Sequence, residues 1–299
     1  HRLVQKSLVR VEQEAQPEGS CTRYYLLRAI HEFASQSLAA ERGQTDVQRR
    51  HFGFYTQLAV HLGNQVLGAR HRQAMTELDA DYHNVRAAIH FSLDKPELSE
   101  ARLRAAASLP FYWQLRSAML SSEGIGWLKG IHDTRTDFSI TTQAQAYTAL
   151  LHLNGLDLFH WNLNVGDRPR ETQALIEAAD ALLEPCLAQV DWRTAAYLLL
   201  ALAGAHRDRP ELWAKCREYT QRAHGLMQKS EDPRGEGFAR IGLTLLDVIQ
   251  GQTQAIRTQQ LENIRLLERI GSTWALCEAY RMQVTLALIA NDEAEAVRY

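Results

Sequence analysis

Residues 191–206 read DWRTAAYLLLALAGAH, residues 232–247 read DPRGEGFARIGLTLLD, and residues 272–287 read STWALCEAYRMQVTLA. Each segment begins with Asp or Ser, which are favoured helix N-caps, and continues with small and apolar residues. The three segments start about 40 residues apart, a period typical of helical hairpins that stack into a solenoid. Such arrays expose a long continuous surface, so the period favours a binding or sensing module over a catalyst.

The composition excludes several other classes of protein. A chain of 299 residues leaves room for about two domains. The formal net charge of −2, with both signs interspersed, provides no basic field that would attract nucleic acid. Seven prolines and 17 glycines are too few for a disordered or an all-β chain. We see no signal peptide and no apolar run near the roughly 18 residues that cross a bilayer, so we expect a cytoplasmic piece of a larger protein, with no membrane partner.

The β-structure is confined to the start of the chain. Residues 8–11 and 22–27 alternate between apolar and polar side chains, and the EQEAQPEGSC segment between them carries turn residues at Pro17 and Gly19. This pattern predicts a β-hairpin. Residues 3–6 are interpreted as the last turn of a preceding helix.

Everything after the hairpin is predicted to be helical, because apolar residues recur at helical spacing. Leu78, Tyr82, Val85 and Ile89, for example, share one stripe. Further helices are predicted over 47–67, 98–119, 122–133, 140–164, 170–189, 192–206, 210–229, 234–250, 253–269 and 273–290.

The residues with side chains suited to catalysis or metal binding are not arranged for either. The twelve histidines include no HExxH, and pairs such as His51 and His61 lack the four-residue spacing of a zinc-binding helix. There is no GxSxG segment and no cysteine with a histidine partner nearby in sequence. We therefore expect a non-enzymatic chain with no catalytic residue, cofactor or metal.

The four cysteines show no CxxC or metal-ligand spacing. Cys21, Cys186, Cys216 and Cys277 are far apart in the sequence. We expect them to be small buried apolar residues in a reducing compartment.

Several segments together resemble a known family. They are LVQKSLV at 3–9, YLLRAIHEFA at 25–34, residues 78–93 with NVRAA at 84–88, and SEG at 122–124 followed by Trp127 and Leu128. Their order is similar to that in bacterial STAND-type ATPase regulators, which include the large LuxR-type and AfsR-like transcriptional regulators. The units from residue 191 onward resemble tetratricopeptide repeats of the maltose-regulator type.

The resemblance implies a mainly α fold in three parts. Residues 1–42 would be the C-terminal part of a winged helix, residues 43–135 a helical spacer at the start of the array, and residues 136–299 the tetratricopeptide-like repeats. It also implies a sensor arm that receives an effector and signals to a nucleotide-binding domain outside this chain. Relatives carry Met-His-Asp where this chain has Leu26, Leu27 and Arg28, so we expect no nucleotide contact here.

A winged helix can bind DNA, but this one lacks most of its recognition helix. Its tip carries Glu12, Glu14 and Glu18, which would repel phosphate. We therefore expect no direct contact with nucleic acid, and a winged helix that serves as a packing spacer.

The period predicts a candidate ligand or partner surface. Equivalent residues of stacked helices form columns, and Tyr197, Phe238 and Glu278 are one such set. Together with Arg281 they offer aromatic contact and both charge signs, which would suit a peptide or a small effector. The alternative is that Tyr197 and Phe238 are core residues between helices.

Two further sets of residues are candidates for the surroundings of a ligand site. Arg193, Arg234 and Trp274 are also period-equivalent, and their location near helix starts predicts a rim around the surface. His152 and His160 fall on one predicted helix that could line a pocket, although packing between neighbouring helices explains the same pattern.

Two functions remain open at this point. The first is the sensor arm of a STAND-type regulator, which binds an effector or a protein on the repeat surface. The second is a tetratricopeptide scaffold that docks a protein without sensing a small molecule.

Overall fold

The structure, a computed structural model, describes residues 2–16, 19–39, 44–132, 137–156, 170–252 and 256–299. Over these residues it is mainly helical, with one two-stranded antiparallel sheet, which confirms the prediction of a mainly α fold. The chain divides into two units, His1–Gly53 and Phe54–Tyr299, which are described separately.

The first unit contains the predicted hairpin. Its elements are α1 (Arg2–Gln5), β1 (Val9–Gln16), β2 (Gly19–Leu26) and α2 (Arg28–Ala39). The strands pair from Val9 opposite Leu26 to Gln16 opposite Gly19, so they are longer than the predicted segments 8–11 and 22–27. Residues 17 and 18 at the predicted turn lie outside the described residues. Between residues 2 and 39 none of the described side chains is buried.

Fourteen further helices follow in the described residues. They are α3 (Gln44–Gly63), α4 (His71–Phe91), α5 (Ser99–Ala107), α6 (Pro110–Arg116), α7 (Ala118–Leu128), α8 (Ile140–Leu153), α9 (Arg170–Asp180), α10 (Leu183–Ala188), α11 (Trp192–His206), α12 (Trp213–Lys229), α13 (Pro233–Ile249), α14 (Ile256–Ile270), α15 (Thr273–Ile289) and α16 (Glu293–Arg298). Short 3₁₀ helices span Pro96–Leu98, Lys129–His132 and Pro210–Leu212.

The three residues predicted to start helices are N-caps in the structure. Asp191, Asp232 and Ser272 directly precede α11, α13 and α15. The Asp191 carboxylate accepts the Thr194 backbone N–H, and the Asp232 carboxylate accepts that of Gly235. These bonds satisfy N–H groups that have no partner inside the helix.

A left-handed residue precedes each of these starts. Val190, Glu231 and Gly271 have φ values of 59°, 50° and 72°. The chain reverses direction there, and the Asp232 N–H donates to the Met227 carbonyl oxygen, as in a helix-ending Schellman motif. The regular spacing of the helix pairs therefore rests on a repeated turn as well as on apolar packing.

From α11 to the end of the chain, each helix packs on the next along the sequence. α11 packs on α12, and the contacts continue pairwise through α13, α14, α15 and α16. The core between them includes Leu198, Leu199 and Leu202, all fully buried. The predicted α4 stripe of Leu78, Tyr82, Val85 and Ile89 is also buried.

Two predicted helices are broken. The range 98–119 contains α5, α6 and the start of α7, because Pro110 begins a new helix and Ser117 is extended, capping α7 through the Leu120 N–H. The range 140–164 ends as a helix at Leu153, and Gly155 follows at φ 70°. His160, which was predicted on the same helix, lies outside the described residues.

The expectation of buried cysteines holds for two of them. Cys186 and Cys216 are buried, whereas Cys277 is exposed, which corrects the prediction for that residue. Cys277 lies on α15 on the side away from the helices that pack against it. The side chain of Cys21 is outside the described part of the chain.

We expect Val190→Gly to stabilise the protein. Val190 is 60% exposed, so little packing is lost, and a β-branched residue in the left-handed region is strained by roughly 1–2 kcal/mol. Chemical denaturation should show an increase of about 1 kcal/mol in the free energy of unfolding. The control Val248→Gly, inside α13, should lower it instead. Equal losses in both variants would contradict the turn geometry.

A glycine pair in α7 provides a second test. A Cβ on Gly124 would overlap the ring of the fully buried Trp113, whereas a Cβ on Gly126 would meet nothing within 4 Å. Gly124→Ala should therefore cost about 1–3 kcal/mol of stability from overpacking. Gly126→Ala, two residues away, should add up to about 1 kcal/mol. Thermal unfolding of the two variants distinguishes these signs.

Candidate functional site

A cavity of about 310 Å³ lies within the second unit. One side is formed by three helices, α8, α11 and α13, each of which presents one stripe of residues to it. Because side chains three or four positions apart share a helix face, the stripes follow that spacing. They consist of Gln145, Thr148, Ala149 and His152 on α8, Arg193, Thr194, Tyr197, Leu200 and Ala201 on α11, and Arg234 and Phe238 on α13.

The other side comes from the end of α3 and from the α5–α6 corner. Val60, Gly63 and Leu67 contribute from the first of these, and Arg104 and Phe111 from the second. A Cβ on Gly63 would overlap the backbone carbonyl of Ser108. The absence of a side chain at Gly63 therefore allows the two segments to approach closely enough to form one wall.

The Asp232 carboxylate organises the site. It caps α13, accepts from Arg193 Nε at 2.8 Å, and accepts from the Tyr197 hydroxyl at 3.2 Å. Asp232 is only 8% exposed, whereas the Arg193 side chain is 49% exposed. The acidic group therefore lies behind the cavity wall, and the basic group reaches the solvent side.

Tyr197 is held in its neutral form by these surroundings. Burial, together with the nearby negative charge of Asp232, raises the pKa of Tyr197 to about 12. The phenol is therefore a hydrogen-bond donor to Asp232 over the physiological pH range, and its ring remains part of the apolar wall.

A corresponding hydrogen bond joins the N-cap of α11 to α8, which precedes it in the cavity wall. Thr141, two positions after the Ser139 N-cap of α8, donates to the Asp191 carboxylate at 2.8 Å, just as Arg193 bonds Asp232. α8 is thus positioned like α11, α13 and α15, which are the first helices of the later helix pairs. This places Gln145, the sixth residue after its cap, in the column of Tyr197 and Phe238.

Arg234 and Arg104 differ in whether their guanidinium groups form hydrogen bonds with the described residues. Arg234 donates to the Asn64 carbonyl oxygen at 2.7 Å, which links α13 to the end of α3. Arg104 is exposed, and its guanidinium makes no hydrogen bond or ion pair to the described residues. No carboxylate is among the described residues that line the cavity.

Two polar side chains of α8 differ in whether they have a hydrogen-bond partner among the described residues. The Thr148 hydroxyl oxygen is buried and has no hydrogen-bond partner among the described residues. His152 is bonded to the Gln114 side chain, and its ring lies against Phe111 with centroids 4.1 Å apart. His152 therefore does line a pocket, one of the two interpretations of this helix that the sequence left open.

The structure brings together two of the four predicted surface residues. Tyr197 and Phe238 both line the cavity, and Phe238 is also 2% exposed, so it combines the two roles considered for it. Glu278 and Arg281 are ion-paired to each other at 2.7 Å and are not among the lining residues. Whether any of the four contacts a ligand stays a prediction.

Trp274 explains why the column does not continue to Glu278. Its ring contacts both Phe238 and Phe111, with centroids 5.6 and 5.8 Å away. Next to it, the Ser272 hydroxyl donates to the Leu67 carbonyl oxygen at 2.6 Å. α15 thus closes on α6 and on the segment after α3 at this point, and the cavity ends there.

Sequence reasoning missed Arg104, Gln145 and Thr148. The 40-residue period does not reach them, because their N-cap, Ser139, lies 52 residues before Asp191; only the spacing after the cap is the same. Arg104 belongs to a helix outside the repeat, and nothing in the local sequence relates it to α11. Arg193 and Arg234 were predicted at a rim, and both line the cavity.

Comparisons with known proteins add a partial relationship. Over 155 residues, 50% of this chain, the sequence is 32% identical to a protein of Mycobacterium bovis named "Putative HTH-type transcriptional regulator" and to proteins of the same description in two strains of Mycobacterium tuberculosis. The chain spans only 17% of the length of these relatives. No family model matches it. Half of this chain is therefore distantly related to a small part of proteins named as transcriptional regulators.

Membrane-spanning helices and metal-ligand clusters are both absent from the described part of the chain. None of the helices there is both long enough and apolar enough to cross a membrane. The same residues contain no group of three or more His, Cys, Asp or Glu side chains placed to hold a metal ion.

Two substitutions separate the capping role of Asp232 from its bonds to Arg193 and Tyr197. Asp232→Asn can keep the cap through its single carbonyl oxygen, but an NH2 group then replaces the oxygen that accepts from Arg193 and Tyr197, so it should cost about 1–2 kcal/mol of stability. Asp232→Ala removes the cap as well as these two bonds, so it should cost about 1 kcal/mol more. Urea denaturation measures both. If the Asn variant is as unstable as the Ala variant, the bonds to Arg193 and Tyr197 rather than the cap hold this corner.

Proposed function

We propose that this chain is the effector-sensing arm of a STAND-type transcriptional regulator, and that its effector binds in the cavity between α8, α11 and α13. The observation that carries the proposal is the cavity itself. It has an aromatic and aliphatic wall with a few polar groups that have no partner among the described residues, and small-molecule sites are generally built from such walls.

The position of the cavity suits a sensor. Its lining runs from Val60 to Phe238, so a bound molecule would contact helices that are far apart in the sequence. Binding would add contacts between α3, the α5–α6 corner and three successive first helices. A ligand that binds only this packed arrangement stabilises it by mass action, and thereby shifts the population of the arm toward one conformation.

The relatives support the regulatory part of the proposal. They are named as transcriptional regulators, and the chain matches a small part of their length. In this proposal the nucleotide-binding and DNA-binding functions belong to domains outside the chain, and the arm acts in the cytoplasm without direct contact to nucleic acid. In the first unit, two of the basic side chains are already ion-paired, Arg10 to Glu12 and Arg28 to Glu32.

We propose a binding rather than a catalytic role for the cavity. Ser108 Oγ donates to the Arg104 carbonyl oxygen, and His152 is bonded to Gln114, so neither is arranged as a nucleophile with its base. The Thr148 hydroxyl likewise lacks a base among the described residues.

A scaffold without small-molecule sensing is the second candidate. It is favoured by the apolar side chains on α15 and α16, since Leu288, Ile289 and Val297 are all at least half exposed. Such side chains would suit a docked protein or a further helix.

A thermal-shift screen of a metabolite library against this chain tests the sensor proposal. Compounds that bind the cavity should raise the melting temperature of the wild type. Gln145→Trp, which fills the cavity from α8, should abolish those shifts. Gln221→Trp, an exposed position on α12 away from the cavity, should retain them.

The pattern across the two variants decides the outcome. Shifts that survive Gln145→Trp would place the ligand elsewhere. A folded protein that responds to no compound would contradict the sensor proposal and favour the scaffold.

A further inference from the structure

We infer that the molecule bound in the cavity is a small amphipathic anion, with a carboxylate or phosphate group joined to an apolar body. This rests on the proposed function, because it assigns the chemical class of ligand to the same cavity. The argument has three parts: the charge of the lining, its division into a polar mouth and an apolar interior, and the polar groups without partners.

The lining has an excess of positive charge. Arg104, Arg193 and Arg234 reach the cavity from α5, α11 and α13, three separate elements. Asp232, which lies behind the wall, is the carboxylate next to two of them, 2.8 Å from Arg193 Nε and 4.0 Å from Arg234 Nε. One carboxylate cannot neutralise three guanidinium groups, so the site carries a net positive charge and favours an anion.

Charge and apolar surface are separated within the cavity. Arg104 is exposed and Arg193 is 49% exposed, so both lie on the solvent side. Phe238, at 2% exposed, lies at the interior end with Tyr197 and Leu200 beside it on α11. A ligand with a charged head and an apolar tail would fit with its head at the arginines and its tail against the aromatic rings.

The two solvent-side arginines have donors available. Arg193 uses Nε for Asp232, and its hydrogen bond leaves the terminal nitrogens of the guanidinium for another acceptor. Arg104 makes no bond to the described residues. Guanidinium groups bind carboxylates and phosphates through paired N–H donors, which makes an oxyanion the matching head group.

Thr148 provides an independent indication of a polar ligand atom. Its hydroxyl oxygen is buried and has no partner among the described residues, although buried polar groups are almost always hydrogen-bonded. The amide of Gln145, one turn earlier on the same α8 stripe, also makes no bond to the described residues. A ligand oxygen between them would satisfy both groups.

The volume limits the size of the ligand. A cavity of about 310 Å³ is at the small end of the range of about 300–1,000 Å³ that small-molecule sites span. This suits an aromatic or short aliphatic acid better than a nucleoside triphosphate or a peptide segment.

Matched pairs of acid and neutral probes test the inference by isothermal titration calorimetry. The pairs are indole-3-acetate with indole-3-acetamide, octanoate with octanamide, and phenyl phosphate with phenol. We expect at least one anion to bind at least about tenfold more tightly than its neutral partner, because a hydrogen bond to a charged group is lost in the latter. Comparison of the three anions shows whether the head group is a carboxylate or a phosphate.

Arg104→Gln is the informative variant, because its guanidinium has no bond to the described protein that the substitution would break. It should weaken the anion at least about tenfold and leave the neutral probe unchanged, and Arg104→Lys should restore part of the loss. Arg72→Gln, an exposed arginine on α4 outside the lining, should have no effect. Gln145→Trp should abolish binding of both members of a pair.

Each other result overturns the inference in a distinct way. Equal binding of acid and neutral probe, abolished by Gln145→Trp, would reject the anion and keep the sensor proposal. Anion binding that survives Gln145→Trp or is unaffected by Arg104→Gln would place it outside the cavity. If none of the three anions binds, the ligand class is wrong, and the metabolite screen alone then decides whether the cavity senses a small molecule.

Discussion

The repeat from α11 onward depends on the starts of α11, α13 and α15, where a left-handed residue is followed by an N-cap. Asp232 combines several structural roles at one such start. It follows the turn, caps α13, and accepts hydrogen bonds from Arg193 and Tyr197 of α11. Asp191 makes the corresponding bond to Thr141 of α8. Because the cap of one helix binds the face of the helix before it, the contact that ends a turn also sets the spacing between neighbouring first helices. That spacing determines whether a cavity can exist between them and the end of α3.

The cavity also depends on a closure between distant parts of the chain. Leu67, which follows α3, accepts from Ser272 at the start of α15, and Asn64 accepts from Arg234 at the start of α13. These bonds use backbone carbonyl groups beyond the end of α3, which have no partner within that helix. The repeat is therefore not an open array in this region, since the segment after α3 lies across the starts of two of its helices. The column of period-equivalent residues becomes one wall of a cavity that is open on its solvent side, and it ends where Trp274 meets Phe111 and Phe238.

This closure also marks the limit of what could be predicted from the sequence. The local features were readable: Asp191, Asp232 and Ser272 as caps, the α4 stripe, and the equivalence of Tyr197 and Phe238. Failures occurred where one residue overrides a periodic pattern, as at Pro110, or where a glycine ends a helix early, as at Gly155. The apolar pattern of residues continues through such points, although the backbone does not. Glu278 obeys the period as well as Phe238 does, and only a contact with α6, more than 150 residues earlier, separates them. No local pattern encodes that contact.

The arginines illustrate the same division between local and non-local information. Arg193 and Arg234 occupy the second position after a cap, where the sequence predicts a rim, but their different roles follow from what the next helix provides. Arg193 faces the carboxylate of Asp232, whereas the position equivalent to Asp232 in the following helix is the uncharged Ser272, and Arg234 bonds the carbonyl of Asn64 instead. The loss of one carboxylate between α13 and α15 thus leaves the lining with more positive than negative charge. A change at a capping position, nearly neutral for helix stability because Ser and Asp cap comparably well, therefore alters the electrostatics of the cavity. In a stacked array, exchanges between Asp and Ser at the N-caps can therefore change the charge of a binding site without disturbing the fold.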